Sequence, residues 1–223
     1  RWEDGDFNAG RITSGLPLAG VLDLVPNYTH NAFGREVPLV VSETGGYITG
    51  KSGTSGDELS REIAMEHFPG EGFEWEMKRR SILGFNQVST TIANTLGFMD
   101  HPHTVKKAVP FILLHAFGWD PHYYAVLYTP YDFEDRTQWV PTSLHDFFRF
   151  FHDVQGRRVK ALCPDPDLQV RAFVDVSRLI VIANNLWTKP EVLALNAPDP
   201  ASITVRRYGR APDFTPYLRE ETV

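Results

Sequence analysis

The sequence predicts an α/β fold with parallel strands that gives way to an antiparallel, sandwich-like β region. Three observations carry this reading. Two apolar runs, residues 37–42 and 109–114, are separated by a helical pattern, and each is followed by a long polar stretch. After Cys163 the hydrophobic period shortens to that of strands, with Asp, Asn, Gly and Pro turns between the segments. A hydrophobic content of 42% over 223 residues is ample for a large packed core.

Taken in order, residues 14–28 place Leu18, Val21, Leu22 and Val25 at helical spacing, and residues 31–34 close that helix. The run Pro38-Leu39-Val40-Val41-Ser42-Glu43-Thr44-Gly45-Gly46 follows. Continuous Val and Leu are typical of a parallel strand covered on both faces, and the two glycines let the backbone leave it steeply. Residues 44–74 are glycine-rich with little periodicity and read as a long loop, which in a compact domain is usually functional. Residues 75–96 carry Ile82, Phe85, Val88, Ile92 and Leu96 on one face, a helix of about six turns. The second apolar run, 109–114, ends at His115. Ser143, with Asp146 three residues on, reads as a helix cap; Leu144, Phe147, Phe148, Phe151 and Val154 form the stripe of a helix that Gly156 ends. Strand segments are expected at 168–174, 178–183, 192–195 and 203–207, with Pro164-Asp165-Pro166 dividing residues 1–163 from 164–223. The tail after Arg210 carries no clear pattern.

Composition excludes several classes of function. The formal charge is −6, and no basic cluster is denser than Lys78-Arg79-Arg80 or Arg206-Arg207, so nucleic acid has no electrostatic footprint here. The one cysteine, Cys163, rules out an internal disulfide framework and a cysteine-based metal site. There is no transmembrane run, secretory signal or lipidation motif. The chain opens at Arg1 without an initiator methionine, and is expected to be a piece or a processed product of a longer protein.

Glu43 is the leading candidate for chemistry. In a β/α barrel, polar side chains at the C-terminal ends of strands line the active site; the competing reading is a glutamate that caps the next helix or pairs with a surface arginine. Aromatic residues crowd the segment from Phe117 to Trp139, suited either to stacking on sugar rings or to packing under a loop. His115 and Trp119, at and just past the second apolar run, are candidate sugar contacts, with Tyr123 and Tyr124 extending the platform and Tyr47 beside the glycines. A core histidine and a loop-anchoring tryptophan are the alternatives. His101-Pro102-His103, His115 and His122 offer imidazoles, but proline separates the first two and no carboxylate completes a recognised triad, so neither a metal nor another cofactor is expected. No Gly-x-Ser-x-Gly elbow is present for a serine hydrolase. Glu58, Glu62, Glu66, Glu71 and Glu74 read as a solvated face.

Three segments, Val21-Leu22-Asp23-Leu24-Val25-Pro26-Asn27-Tyr28, Leu39-Val40-Val41-Ser42-Glu43-Thr44-Gly45-Gly46 and Val105-Lys106-Lys107-Ala108-Val109-Pro110-Phe111-Ile112, in this order and spacing, resemble the C-terminal portion of glycoside hydrolase family 86, the β-agarases and β-porphyranases. The resemblance covers residues 16–186; Ser-Glu-x-Gly by itself is shared with many barrels. It implies the C-terminal part of a (β/α)8 TIM barrel followed by a β-sandwich-like domain, a retaining mechanism, a secreted, periplasmic or cell-surface location, and agarose or porphyran as the galactan partner. On that mapping residues 37–43 look like strand seven, residues 109–115 look like strand eight, and Glu43 occupies the place of the nucleophile. The family's acid/base glutamate ends strand four, upstream of Arg1. Retention needs two carboxyl groups about 5–5.5 Å apart, so the chain alone is expected to be inactive. A non-catalytic carbohydrate-binding or structural protein, and another barrel glycosidase of cellulase or mannanase type, are the competing assignments.

Overall fold

The computed structural model describes residues 15–45, 56–110, 113–114, 126–131, 135–187, 189–196 and 201–223. The elements are α1 (Gly15–Phe33), β1 (Leu39–Thr44), α2 (Gly56–His67), α3 (Gly72–Phe98), β2 (Val105–Pro110), β3 (Tyr128–Pro130), β4 (Trp139–Pro141), α4 (His145–Phe151), β5 (Arg157–Val159), β6 (Leu168–Asp175), β7 (Arg178–Asn185), β8 (Thr204–Arg210) and β9 (Pro216–Thr222). They fall into two compact units, one of residues 1–48, 87–111 and 154–188, the other of residues 49–86, 112–153 and 189–223, with α3 running through both.

In the first unit, β1 and β2 form a parallel pair. The preceding helix α1 is longer than its apolar spacing suggests and ends where Gly34, at φ +67°, turns the chain and donates its N–H to the His30 carbonyl at 2.8 Å. Leu18 of α1 sits close enough to Gly97 that a Cβ there would lie 3.0 Å from it, and His101 Nε2 meets Asp23 Oδ1 at 2.9 Å. β5, β6 and β7 form an antiparallel sheet that docks on α3 through hydrogen bonds. Gln169, buried on β6, donates to the Ala93 carbonyl at 3.0 Å and accepts from Asn184 Nδ2 at 2.8 Å.

In the second unit, α2 turns Leu59, Ser60, Ile63 and Ala64 inward while Glu58, Glu62 and Glu66 face solvent. The fully buried Arg79 of α3 donates to Ser60 Oγ at 2.7 Å and to both carboxylate oxygens of Glu76, at 2.5 and 2.9 Å; Arg80 adds a bond to Glu76 at 3.1 Å. β3 pairs with β4, and β8 with β9. Arg206 on β8 ties its hairpin to α4's end through Asp153 at 2.6 Å and the Phe150 carbonyl at 3.0 Å.

Several expectations are corrected. The stretch 44–74 is not structureless, because α2 occupies its middle; Leu59 and Ile63, one turn apart, supply its buried side. The second parallel strand begins at Val105 rather than at 109, and as described it ends at Pro110. Pairing with β1 fixes that start, Leu39 opposite Val105 and Thr44 opposite Pro110, with Lys106 and Lys107 exposed within it; beyond it Leu113 and Leu114 are exposed, Leu114 in a parallel bridge to Tyr128. Ser143 does not cap α4: Leu144 holds the cap position, its N–H donating to Thr142 Oγ1 at 3.1 Å. Gly156 does not end that helix, which stops at Phe151 with His152 as its cap; it opens β5 instead. Residues 192–195 form no strand, and β9 occupies the tail that had carried no pattern.

Gly156, at φ +107°, leaves no room for a side chain: a Cβ there would lie 2.5 Å from the Val174 carbonyl oxygen. Gly156→Ala is therefore expected to lower unfolding stability by about 1–3 kcal/mol, whereas Gly20→Ala, within α1 and with nothing within 4 Å of its Cβ, should raise it by up to ~1 kcal/mol. Urea titration followed by circular dichroism separates the two.

The Glu76 carboxyl gives a second expectation. Burial acts to raise its pKa, but the hydrogen bonds and charges of Arg79 and then Arg80 outweigh burial and bring it from 4.5 to about 2. The folded state holds the proton less tightly than the unfolded chain, so this stabilisation is present above about pH 4.5 and is lost as the pH falls toward 2. Melting temperature against pH should show this acid limb, and Glu76→Gln should lower stability at pH 7 while flattening the limb. An unchanged limb in that variant would place the acid lability elsewhere.

Candidate functional site at the end of the first strand

Glu43 stands near the C-terminal end of β1, and the strand does not present it by simple alternation. Val41 is opposite Ala108 and Thr44 is opposite Pro110, so β1 carries one extra residue over this interval. Such a bulge re-aims the side chains it contains. Ser42 and Glu43 are both exposed, whereas Thr44, which alternation would place on the same face as Ser42, is buried at 8%.

The bed beneath this strand end is polar. Asn94 of α3 donates through Nδ2 to Thr44 Oγ1 at 3.3 Å, and Gly45 lies so close to Gln87 that a Cβ would meet Nε2 at 2.0 Å. Thr90 Oγ1 and Asn94 Oδ1 are buried without a hydrogen-bond partner among the described residues, a pattern that ordered water commonly satisfies. Gln87, Thr90, Thr91 and Asn94 recur at helical spacing beside the apolar stripe of α3. That periodicity was available in the sequence, and it is what a search for apolar spacing alone passes over.

Chemically, the arrangement offers one solvent-facing carboxylate on a strand whose next residue is pinned by a hydrogen bond. Among the described residues no group of three or more His, Cys, Asp or Glu is placed to hold a metal ion. His101 is engaged at both ring nitrogens, with the Gly97 carbonyl at 3.1 Å and Asp23 at 2.9 Å, and His103 is exposed. Glu58, Glu62, Glu66, Glu71 and Glu74 are all exposed. The other expected site residues, Tyr47, His115, Trp119, Tyr123 and Tyr124, lie outside the described residues, as does His122. No helix among the described residues is long and apolar enough to cross a membrane.

No protein-family model matches the chain. Among curated proteins it is similar to β-porphyranase A of Phocaeicola plebeius, 28% identical over 192 residues, covering 82% of this chain and 23% of that protein. It is also similar to a β-agarase of Pseudoalteromonas atlantica, 24% identical over 218 residues, covering 92% of this chain and 35% of the relative. A third relative is a funoran endo-β-hydrolase of Wenyingzhuangia aestuarii, 26% identical over 193 residues, covering 83% and 23%. Among solved structures the chain matches BuGH86 in complex with neoagarooctaose, with a TM-score of 0.68 at 23% identity over 94% of this chain and 32% of that one. It also matches a β-porphyranase of glycoside hydrolase family 86 from the gut bacterium Bacteroides plebeius, with a TM-score of 0.62 at 22% identity over 94% and 35%. The chain thus shares the mixed helix and strand fold of part of these enzymes, and it spans about a quarter to a third of the length of the curated relatives it matches.

The close approach of Gly45 to Gln87 gives a test of how the strand end is seated. Gly45→Ala should destabilise the protein because the Gln87 amide must move, and the double variant Gly45→Ala, Gln87→Ala should recover most of that loss, with a coupling of about 0.5–3 kcal/mol. A double-mutant cycle by thermal unfolding measures it; strict additivity would mean that the strand end does not press on α3.

Proposed function

We propose that this chain is the carboxy-terminal part of the catalytic barrel of an endo-acting glycoside hydrolase of the family 86 kind, with a red-algal galactan such as agarose or porphyran as substrate and Glu43 as nucleophile. The observation that carries the reading is the solvent-facing position of Glu43 at the bulged C-terminal end of a parallel strand, where barrel enzymes place catalytic groups. The likeness to named agarases and porphyranases over most of the chain supports it. Residues 1–163 then supply barrel strands seven and eight, residues 164–223 begin an accessory β-sandwich, and a substrate too large to enter a cell accounts for a secreted or surface-bound parent.

The chemistry follows from a retaining double displacement. The Glu43 carboxylate attacks the anomeric carbon while an acid, supplied by another part of the parent protein, protonates the departing glycosidic oxygen. The same group, now a base, deprotonates water, which attacks the anomeric carbon, breaks the glycosyl ester and returns Glu43 to a carboxylate. His115, Trp119, Tyr123, Tyr124 and Tyr47 are proposed as sugar contacts, the rings stacking on pyranose faces and the histidine bonding hydroxyls. Stacking of that kind holds ground state and transition state alike, so these residues serve binding more than the chemical step.

In the complete protein, Glu43→Gln should lower kcat on galactan oligosaccharides by about a thousandfold or more with little change in KM, the signature of losing a member of the catalytic set. Glu43→Ala with added azide should yield a glycosyl azide of inverted configuration, since azide then replaces the missing nucleophile. Near-normal turnover of Glu43→Gln, or a retained-configuration azide product, would overturn the assignment.

A further inference from the structure

At the other end of the β1–β2 pair from Glu43, the chain leaves α3 through Met99 and Asp100 and enters β2 at Val105. An open cavity of about 400 Å³ lies there, lined by Asp100, Arg158, Val159, Lys160, Val170 and Arg171 among others. Its size is in the range of sites that hold a small organic ligand. Two of its cations are held in place. Arg171 donates through Nε to the Leu96 carbonyl at 3.2 Å and through Nη1 to the Val170 carbonyl at 2.7 Å, and its Nη2 pairs with Asp100. Arg158 donates to the Met99 carbonyl and pairs with the other Asp100 oxygen.

Capping explains part of this arrangement, because the Leu96 and Met99 carbonyls belong to the C-terminal end of α3, where cations are favoured. It does not explain Lys160, an exposed residue of the cavity lining with no ion-pair or hydrogen-bond partner among the described residues. Three cations face a single carboxylate, and each guanidinium keeps N–H groups that its present bonds do not use. Val159 and Val170 add apolar wall. A cavity with a cationic edge and an apolar wall suits a ring that carries a fixed negative charge: the ring's CH face meets the valines, and the anion meets Lys160 and the free guanidinium N–H groups.

We propose that this cavity binds a sulfated galactose unit of the polymer, so that the parent enzyme holds sulfated galactan through Lys160, Arg158 and Arg171 as well as through the Glu43 end of the strands. This deepens the reading given above and rests on it for the sugar; the anionic character of the ligand comes from the cavity alone. A neutral agarose unit leaves the positive charge in excess of Asp100 unmatched.

The test uses the complete protein carrying Glu43→Gln, so that ligands are not consumed, titrated calorimetrically with a sulfated porphyran oligosaccharide, a neutral agarose oligosaccharide and inorganic sulfate. Adding Lys160→Glu should weaken the sulfated oligosaccharide by about tenfold, the scale of one charge-assisted contact, and leave the neutral one unchanged. Lys160→Ala should show a smaller loss in the same direction, and raised NaCl should weaken the sulfated ligand more than the neutral one. Equal affinity of both oligosaccharides for the Lys160 variants and their parent would overturn the proposal. Competition by inorganic sulfate at the oligosaccharide's own concentration would reduce the cavity to a simple anion site and overturn the sugar assignment. Turnover of a neutral oligosaccharide by the Lys160→Glu enzyme with Glu43 intact reports separately on the hydrolase reading: if the enzyme lacking both substitutions cleaves no galactan while sulfated binding still depends on Lys160, the function fails and the cavity assignment stands.

Discussion

Helix α3 buries hydrogen-bonding side chains as completely as it buries apolar ones, and their partners come both from α3 itself and from segments that pack on it. Arg79, Gln87 and Thr91 are as hidden as Ile82, Val88 and Leu96. A buried polar group left without a partner costs about 1–3 kcal/mol, so hydrophobic fit alone cannot choose the neighbours. Toward the N-terminal half, Ser60 and Glu76 answer Arg79, and Glu76 and Thr129 answer Arg80. Toward the C-terminal half, Thr44 answers Asn94, and side chains from β6 reach the helix carbonyls at Ala93 and Leu96. Guanidinium and amide geometry is directional, so these bonds fix the rotation and register of what docks, a constraint that apolar contact leaves loose.

The placement of Glu43 is a consequence of that docking. Asn94 draws Thr44 inward, and a strand that alternated strictly would then bury Ser42 as well and turn Glu43 to the other face. The extra residue between Val41 and Thr44 breaks the alternation, so that Thr44 is tied down while Ser42 and Glu43 both face out. A carboxylate on a strand, with its neighbour pinned, loses less freedom on engaging a substrate than one on a loop. This is the geometric content of preorganisation at such a position.

Much of this was legible in the sequence, and the misses have physical reasons. The stripe Ile82, Val88, Ile92 and Leu96 identifies α3, and the run ending at Glu43 identifies β1, because long periodic segments and continuous apolar runs leave few alternatives. The second strand starts four residues before its apolar run, because Val105, Lys107 and Ala108 pair with β1 while Lys106 and Lys107 extend to water, and composition does not mark that start. Helix α2 was hidden by the glycines around it. β9 reads as a charged tail until its cross-strand partners are known; Arg206 meets its facing partner Glu220 at 2.7 Å, and Arg207, which faces Arg219, reaches diagonally to Glu221 at 3.0 Å. The bulge at Glu43 has no sequence signal of its own, and the Asn94 bond to Thr44 that accompanies it comes from fifty residues away.

Part of the apolar surface that remains exposed lies on α1 and β1. α1 buries only Leu22 and Thr29, while Leu16, Leu24, Tyr28 and Phe33 are each about 65% exposed, and Val40 on β1 is 64% exposed. Parallel strands are ordinarily covered on both faces and paired on both edges, yet among the described residues β1 pairs only with β2. A helix apolar on more than one side is built to be covered on more than one side. On the barrel reading proposed above, the second carboxyl group that a retaining mechanism requires about 5–5.5 Å from the first comes from strands added at the edge of β1 that no described strand pairs. On that same reading, covering the apolar face of α1 and supplying a partner for Glu43 are one structural requirement.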